Sequence, residues 1–172
     1  MVSKQVYYHW DRLSGYKPGE IKPKGLWGKY ILDRPLTATQ AARELIYEQV
    51  RKENYQERPS RLNCVFMCAN EESAKLFGQS QQKSMERSRG QGFFDRTLYE
   101  VEIVDKTAKK FIANWDRMAQ KQSNYACVIA YAEDYWRASD VPLQLQELVI
   151  ESDIKILKKA RLTKSKPSRT RR

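Results

Sequence analysis

The chain has 172 residues, 41% of them apolar and 11% aromatic, and carries a net charge of +11. That length fits one domain with a core of its own, and no run of about 18 apolar residues is present to span a membrane. Eight of the positive charges lie between Lys158 and Arg172 with no acidic residue among them, leaving +3 for the rest, so the C-terminal segment and not the body resembles a polyanion binder.

Cys64, Cys68 and Cys127 are odd in number and form no CxxC pair, and His9 is the only histidine. This composition excludes a disulfide framework, offers no metal-ligand set, and points to free thiols in a reducing, cytoplasmic compartment. The opening residues MVSKQVYYHW lack the apolar stretch of a signal peptide.

In chain order, KQVYYHW (4–10) reads as an opening strand. Ser14 to Lys29, with four glycines and two prolines, reads as a loop excursion. A helix is predicted from about Thr37 to Asn54, opened by a Thr37/Gln40 capping box and carrying Ala42, Leu45, Ile46 and Val50 at helical spacing. Leu62 to Cys68 is an apolar strand. Asn70 caps a short helix through Phe77 that Gly78 ends, and the polar stretch Gln79 to Gly92 reads as a mobile loop. A strand over Thr97 to Val104, helices over about Thr107 to Gln120 and Asn124 to Ala138, and strands over Gln146 to Ile150 and Ile154 to Leu157 complete the pattern. The expected organisation is an α+β domain over 1–158 and a basic, disordered tail over 159–172.

Four pieces stand in a definite order. The first is Val6-Tyr7-Tyr8-His9-Trp10-Asp11-Arg12. The second is Arg58-Pro59-Ser60-Arg61, followed by Val65-Phe66 and a helix with Ala74-x-x-Phe77. The third is Leu98-Tyr99-Glu100-Val101-Glu102, and the fourth Tyr135-Trp136 ahead of Gln146-Glu147-Leu148-Val149-Ile150. Taken together they resemble the ADP-ribosyltransferase-like superfamily, and within it a bacterial and phage family of unknown function. In that superfamily a Tyr-His pair ends the first strand, an aromatic stands in the second, and a glutamate opens a late strand.

The resemblance implies two small, mostly antiparallel sheets with flanking helices and an NAD cleft between them. It implies Glu147 as the catalytic carboxylate, His9 on a ribose and Phe66 stacked on nicotinamide. Arg12, Arg58 and Arg61 would hold the pyrophosphate, since guanidinium forks match phosphate oxygens, with Ser60 beside them as a further cofactor-binding candidate, and Trp136 would pack under the site and position Glu147. The activity implied is transfer of ADP-ribose from NAD, as co-substrate and without a metal, to a protein or nucleic-acid acceptor, in the manner of a phage or bacterial conflict protein. Poly(ADP-ribose)-polymerase-like members have tyrosine where Phe66 stands, and the Ser-Thr-Ser motif of toxin-like members is missing.

Read from the residues alone, other roles stay open. A lone histidine in an apolar strand is by default a satisfied structural group, and Phe66 in a buried strand is by default core. Glu100 and Glu102 are rival acids, although their alternation with apolar residues turns them to solvent. Lys164, Lys166, Arg169, Arg171 and Arg172 offer salt-dependent attraction to nucleic acid or a nucleic-acid-associated protein. A non-catalytic nucleic-acid- or protein-binding module on the same fold, and an NAD hydrolase, are the alternative functions.

Overall fold

The computed structural model describes residues 5–11, 15–33, 38–89, 96–119 and 124–161. Arg12, Thr37 and the five basic residues from Lys164 to Arg172 lie outside the described residues. Among the described residues, no helix is long and apolar enough to cross a membrane.

The strands are β1 (Tyr7–Asp11), β2 (Ile21–Lys22), β3 (Val65–Cys68), β4 (Thr97–Ile103), β5 (Lys110–Asn114), β6 (Gln146–Ile150) and β7 (Ile154–Lys159). They form a single ladder in the order β2-β7-β4-β1-β3-β6-β5, antiparallel at every pairing. The helices are α1 (Leu26–Asp33), α2 (Ala38–Asn54), α3 (Glu71–Arg89), α4 (Asp116–Ala119) and α5 (Tyr125–Arg137). The chain is thus α+β, built on one antiparallel sheet and not on the two separate sheets expected.

The ladder nevertheless folds over on itself. Four strand spacings of about 4.8 Å separate β6 from β7 in a flat sheet, about 19 Å. The connection from Ile150 to Ile154 spans at most about 15 Å fully extended. The sheet must therefore curl, and its two halves close on a buried cluster of Tyr7, Val65, Met67, Tyr99, Val101, Leu148, Ile150, Ile154 and Ile156. Backbone bonds from Val104 N to Asp153 O and from Glu151 N to Lys109 O tie the corner where the two crossings meet. Where the resemblance implied a cleft between facing sheets, the concave side holds packed hydrophobic core.

The outer face is covered by helices. Tyr47 and Val50 of α2 and Ala132, Tyr135 and Trp136 of α5 bury Phe111, Ala113 and Val149. Ala74 and Phe77 of α3 pack on Tyr8, Trp10, Cys68 and Leu98. The sequence pattern predicts α5 and β6 closely: Asn124 Oδ1 accepts Cys127 N at 3.0 Å and starts the helix.

Three expectations change. Gly78 does not end α3, which runs on to Arg89 through the stretch read as a mobile loop. A Cβ on Gly78 would sit 2.7 Å from Trp10 Cζ2, so the glycine lets the helix lie against the indole of β1. The helix predicted over about Thr107 to Gln120 is a strand over Lys110–Asn114 and helical only over Asp116–Ala119. Asp105 Oδ1 takes both Thr107 N and Oγ1 in a turn, and Phe111 and Ala113 then alternate inward against Lys110 and Ile112 outward. The loop from Ser14 to Lys29 contains β2 and the start of α1. Gly25, at φ 76°, turns the chain into that helix. Gly28 then lets it press on the backbone of Leu62, where a Cβ would come within 2.0 Å of the carbonyl oxygen.

Candidate functional site

Glu147 is the second residue of β6, paired with Cys68 on β3 and Ala113 on β5. It alternates with Leu148, so its side chain leaves the sheet on the outer face, under α2 and α5. Tyr135 OH donates to Glu147 Oε2 at 2.8 Å, and Arg61 Nη1 donates to the same oxygen at 3.2 Å. Oε1 makes no hydrogen bond among the described residues, and the side chain keeps 14% of its surface exposed.

Arg61 is the hub of this group. It lies in a 3-10 turn (Arg61–Asn63) that Ser60 caps, Ser60 Oγ accepting Leu62 N at 3.2 Å. Glu44 of α2 grips the guanidinium from the far side, with Nε–Oε2 at 2.9 Å and Nη2–Oε1 at 3.3 Å. Nη1 also donates to Tyr135 OH. The guanidinium carbon lies 4.4 Å from the Phe66 ring centroid and 4.9 Å from that of Tyr135. Burial opposes charge on Arg61, but Glu44, Tyr135 and Glu147 outweigh it and hold its pKa well above the ordinary value. Burial pushes the Tyr135 hydroxyl well up, and Glu147 adds to that against the pull of Arg61. Tyr135 is therefore a donor to Glu147 at any working pH. Two carboxylates, one guanidinium and two aromatic faces meet here, an arrangement able to hold a flat cation beside a carboxylate oxygen.

His9 belongs to a second cluster, on the opposite face. Tyr7, His9 and Asp11 alternate onto the concave side of β1. His9 Nδ1 lies 2.7 Å from the Phe66 carbonyl oxygen, and Nε2 lies 3.2 Å from Asp11 Oδ2, the oxygen that also receives the Lys22 ammonium. Burial first, then the charges of Lys22 and Arg96, lower the imidazole to about 3 against the pull of the Phe66 bond. A neutral ring donates once, and the shorter contact makes Nδ1 the donor to Phe66. Burial and Arg96 lower Lys22 to about 8.

His9 and Glu147 thus do not share one cleft. Phe66 is the link: its backbone carbonyl accepts from His9 and its ring carries Arg61. A cavity of about 390 Å³ lies by Asn114, Arg117 and Asp140, and one of about 260 Å³ lies between α2 and α5. Neither is lined by His9, Phe66 or Glu147.

The other expected residues sort as follows. Ser60 faces inward, its N–H on Glu151 Oε1 at 2.6 Å and its hydroxyl on Glu48 Oε2 at 3.0 Å. Arg61 reaches Glu147 and not an open surface. Trp136 is fully buried and donates to Tyr47 O at 2.8 Å, so its neighbour Tyr135 is the residue that touches Glu147. Glu100 and Glu102 pair with Lys158 and Lys155 at 3.2 and 3.8 Å and are not part of either cluster. Cys64 and Cys68 are buried free thiols, Cys68 pushed up to about 12 mainly by burial, and are inert as nucleophiles.

Glu44, Tyr135, Trp27 and Lys22 escape sequence reasoning. One signal was available for Glu44: it lies three residues before Tyr47 on the buried stripe of α2, where an acid is out of place unless paired. Trp27 of α1 meets the Phe66 ring edge-on at 6.3 Å and stacks on Tyr30 at 5.5 Å.

A family model described as protein of unknown function (DUF2441) matches residues 24–162, and the chain belongs to that family. The matched region contains Glu44, Arg61, Phe66, Tyr135 and Glu147, and begins after β1 and His9. No curated protein matches the chain.

Proposed function

We propose that this member of the family is an ADP-ribosyltransferase on an ADP-ribosyltransferase-like fold, moving ADP-ribose from NAD to a macromolecular acceptor. The observation that carries the reading is the neighbourhood of its motif strands. β3 with Phe66 and β6 with Glu147 are paired in the sheet, both side chains reach Arg61, and Glu147 is held by Tyr135 with one oxygen unengaged among the described residues.

In the proposed reaction the bond between the ribose C1′ and the nicotinamide nitrogen breaks, and the ring leaves neutral with the bonding electrons. The resulting oxocarbenium ion is attacked by an acceptor oxygen or nitrogen, which loses its proton. Such an ion needs a fixed negative charge beside it, and Glu147 supplies one. Tyr135 and Arg61 keep Oε2 in place, and Phe66 offers a face for the leaving ring. The basic residues Lys164, Lys166, Arg169, Arg171 and Arg172 favour an acceptor that is nucleic acid or bound to it.

The test is a lysate labelled with tagged NAD, followed by nuclease and protease digestion. Label that one digestion removes supports transfer and names the acceptor class. Nicotinamide release without label identifies an NAD hydrolase. The guanidinium of Arg61 over Phe66 favours a second reading, a binding module without chemistry, and absence of both label and nicotinamide would select it.

A further inference from the structure

β5 is an open edge of the sheet. Among the described residues it pairs with β6 alone, and the strand at the opposite edge, β2, is only two residues long. The bonds from Glu151 N to Lys109 O at 3.0 Å and from Trp115 N to Leu145 O at 3.2 Å fix which groups the β5 edge presents. Antiparallel neighbours alternate between bonded and unbonded pairs. Phe111 and Ala113 therefore exchange their bonds with Val149 and Glu147, and Lys110, Ile112 and Asn114 turn N–H and C=O away from the sheet. Native edges are blunted by shortness, bulges or charge. β2 is blunted by its length. β5 keeps an unbroken register with β6, and its central outward residue is an isoleucine, 42% exposed.

Two features of this edge point to a second copy of the same chain as its occupant. The outward groups are symmetric about Ile112, so two β5 strands set antiparallel about a two-fold axis at that residue leave none of them unpaired. Ile112 then exchanges two bonds with Ile112 of the second copy, and on each side Lys110 exchanges two with Asn114, six in all. The isoleucine side chains meet on the axis and remove each other from water. The charges are also self-complementary. Lys109 and Lys110 stand at one end of the strand. At the other, three carboxylates (Asp116, Asp134 and Asp140) stand against two guanidiniums (Arg117 and Arg137). Antiparallel pairing lays the basic end of each copy beside the acidic end of the other.

We propose that the chain forms an isologous dimer through β5, which continues the antiparallel sheet from one copy into the next. The seam sets Lys110 of the second copy beside Asn114, at the wall of the cavity of about 390 Å³. Five residues a side, against about 20 to 30 in a standard interface, make this a weak dimer that forms as concentration rises. It requires no chemistry at Glu147.

Sedimentation of the full chain from about 1 μM to about 1 mM, the range of weak complexes, should show monomer passing to dimer. Ile112→Pro removes an N–H that the ladder with β6 does not use, and with it two of the six seam bonds. It should weaken dimerisation about tenfold or more. Asn114→Asp keeps the acceptor for Asp116 N and puts an acid opposite each Lys110, so it should tighten the dimer about threefold. Crosslinking in a Cys127→Ser background reads the register, since Cys64 and Cys68 are buried. Ile112→Cys places two Cα atoms about 5.5 Å apart, within reach of a disulfide. Lys110→Cys places its pair four residues out of step, about 13 Å apart. Oxidation should join the first variant and not the second, although Lys110 is also exposed. A monomer at every concentration overturns the proposal and leaves the edge to a foreign strand. So does a dimer that Ile112→Pro leaves intact, or crosslinking of Lys110→Cys as fast as that of Ile112→Cys. Should Ile112→Pro fail to fold, the crosslinking pair decides.

Discussion

Glu147→Gln is the substitution that separates charge from shape at this site. Glu147 Oε2 accepts from Tyr135 and Arg61, and a glutamine carbonyl accepts from both in the same place. The amide nitrogen replaces Oε1, which has no hydrogen-bond partner among the described residues. Glu44 still pairs with Arg61, so the buried group goes from a surplus negative charge to balance, and folding should hold. What disappears is the field on the ribose. A unit charge about 5 Å from the developing cation is worth about 3 kcal/mol at an effective dielectric of about 20. That agrees with the roughly 2.7 to 4 kcal/mol lost with one preorganised electrostatic group, and it means two to three orders of magnitude in rate. Nicotinamide release should fall by that factor, with a smaller change in KM for NAD, since the charge on the ribose is greatest as the bond breaks. Glu100→Gln and Glu102→Gln, in cross-strand pairs with Lys158 and Lys155, should retain wild-type rates. Undiminished release by Glu147→Gln would refute the reasoning, and so would loss of release in Glu102→Gln alone, which would keep the enzyme class but name another carboxylate.

Legibility in the sequence tracked how local the physics was. α5 and β6 were readable because Asn124 caps one and an unbroken apolar run makes the other, and both signals lie within a few residues. β5 was not readable as a strand: Lys110 to Asn114 gains its identity from pairing with β6, thirty-odd residues on, and five residues carry too little period to outvote a helical reading. Gly78 shows the same limit from the other side. A glycine after an apolar helix reads as a stop, and only the position of Trp10 across the fold reveals that it is a contact. At the site, Phe66 and Glu147 were visible because a resemblance singles them out, and the structure does bring their strands together. Glu44 and Tyr135 were not, because a buried acid on a helix and a tyrosine beside a tryptophan have no meaning until Arg61 is seen between them. The position of His9 was misread in one respect: side-chain alternation, a rule available from sequence, sends it to the opposite face from Glu147 once the register through β3 is known.

Three further outcomes follow from the packing and the buried charges. Gly28→Ala should destabilise by about 1 to 3 kcal/mol or more, and more than Gly78→Ala. The first Cβ meets the Leu62 backbone at 2.0 Å and the second the edge of a Trp10 side chain at 2.7 Å; equal urea midpoints for the two would contradict this. Arg61→Met strands Glu44 at 1% exposure, a loss of about 3 to 5 kcal/mol, and Glu44→Gln/Arg61→Met should recover much of it in chemical denaturation. The last outcome concerns acid. His9 titrates at about 3 in the folded chain and near 6.5 in an unfolded one, so between those values the unfolded state binds the extra proton. Its contribution is therefore complete above about pH 6.5 and is lost as pH falls toward 3, up to about 5 kcal/mol in all. His9→Gln has no such group, so its stability should fall less steeply than wild type across that window, the carboxylates titrating alike in both. Unfolding free energies at pH 7.5, 6 and 4.5 measure the difference. Parallel curves would mean that the imidazole is charged in the fold, donating through Nε2 to Asp11 as well as through Nδ1 to Phe66, and that burial does not govern its protonation.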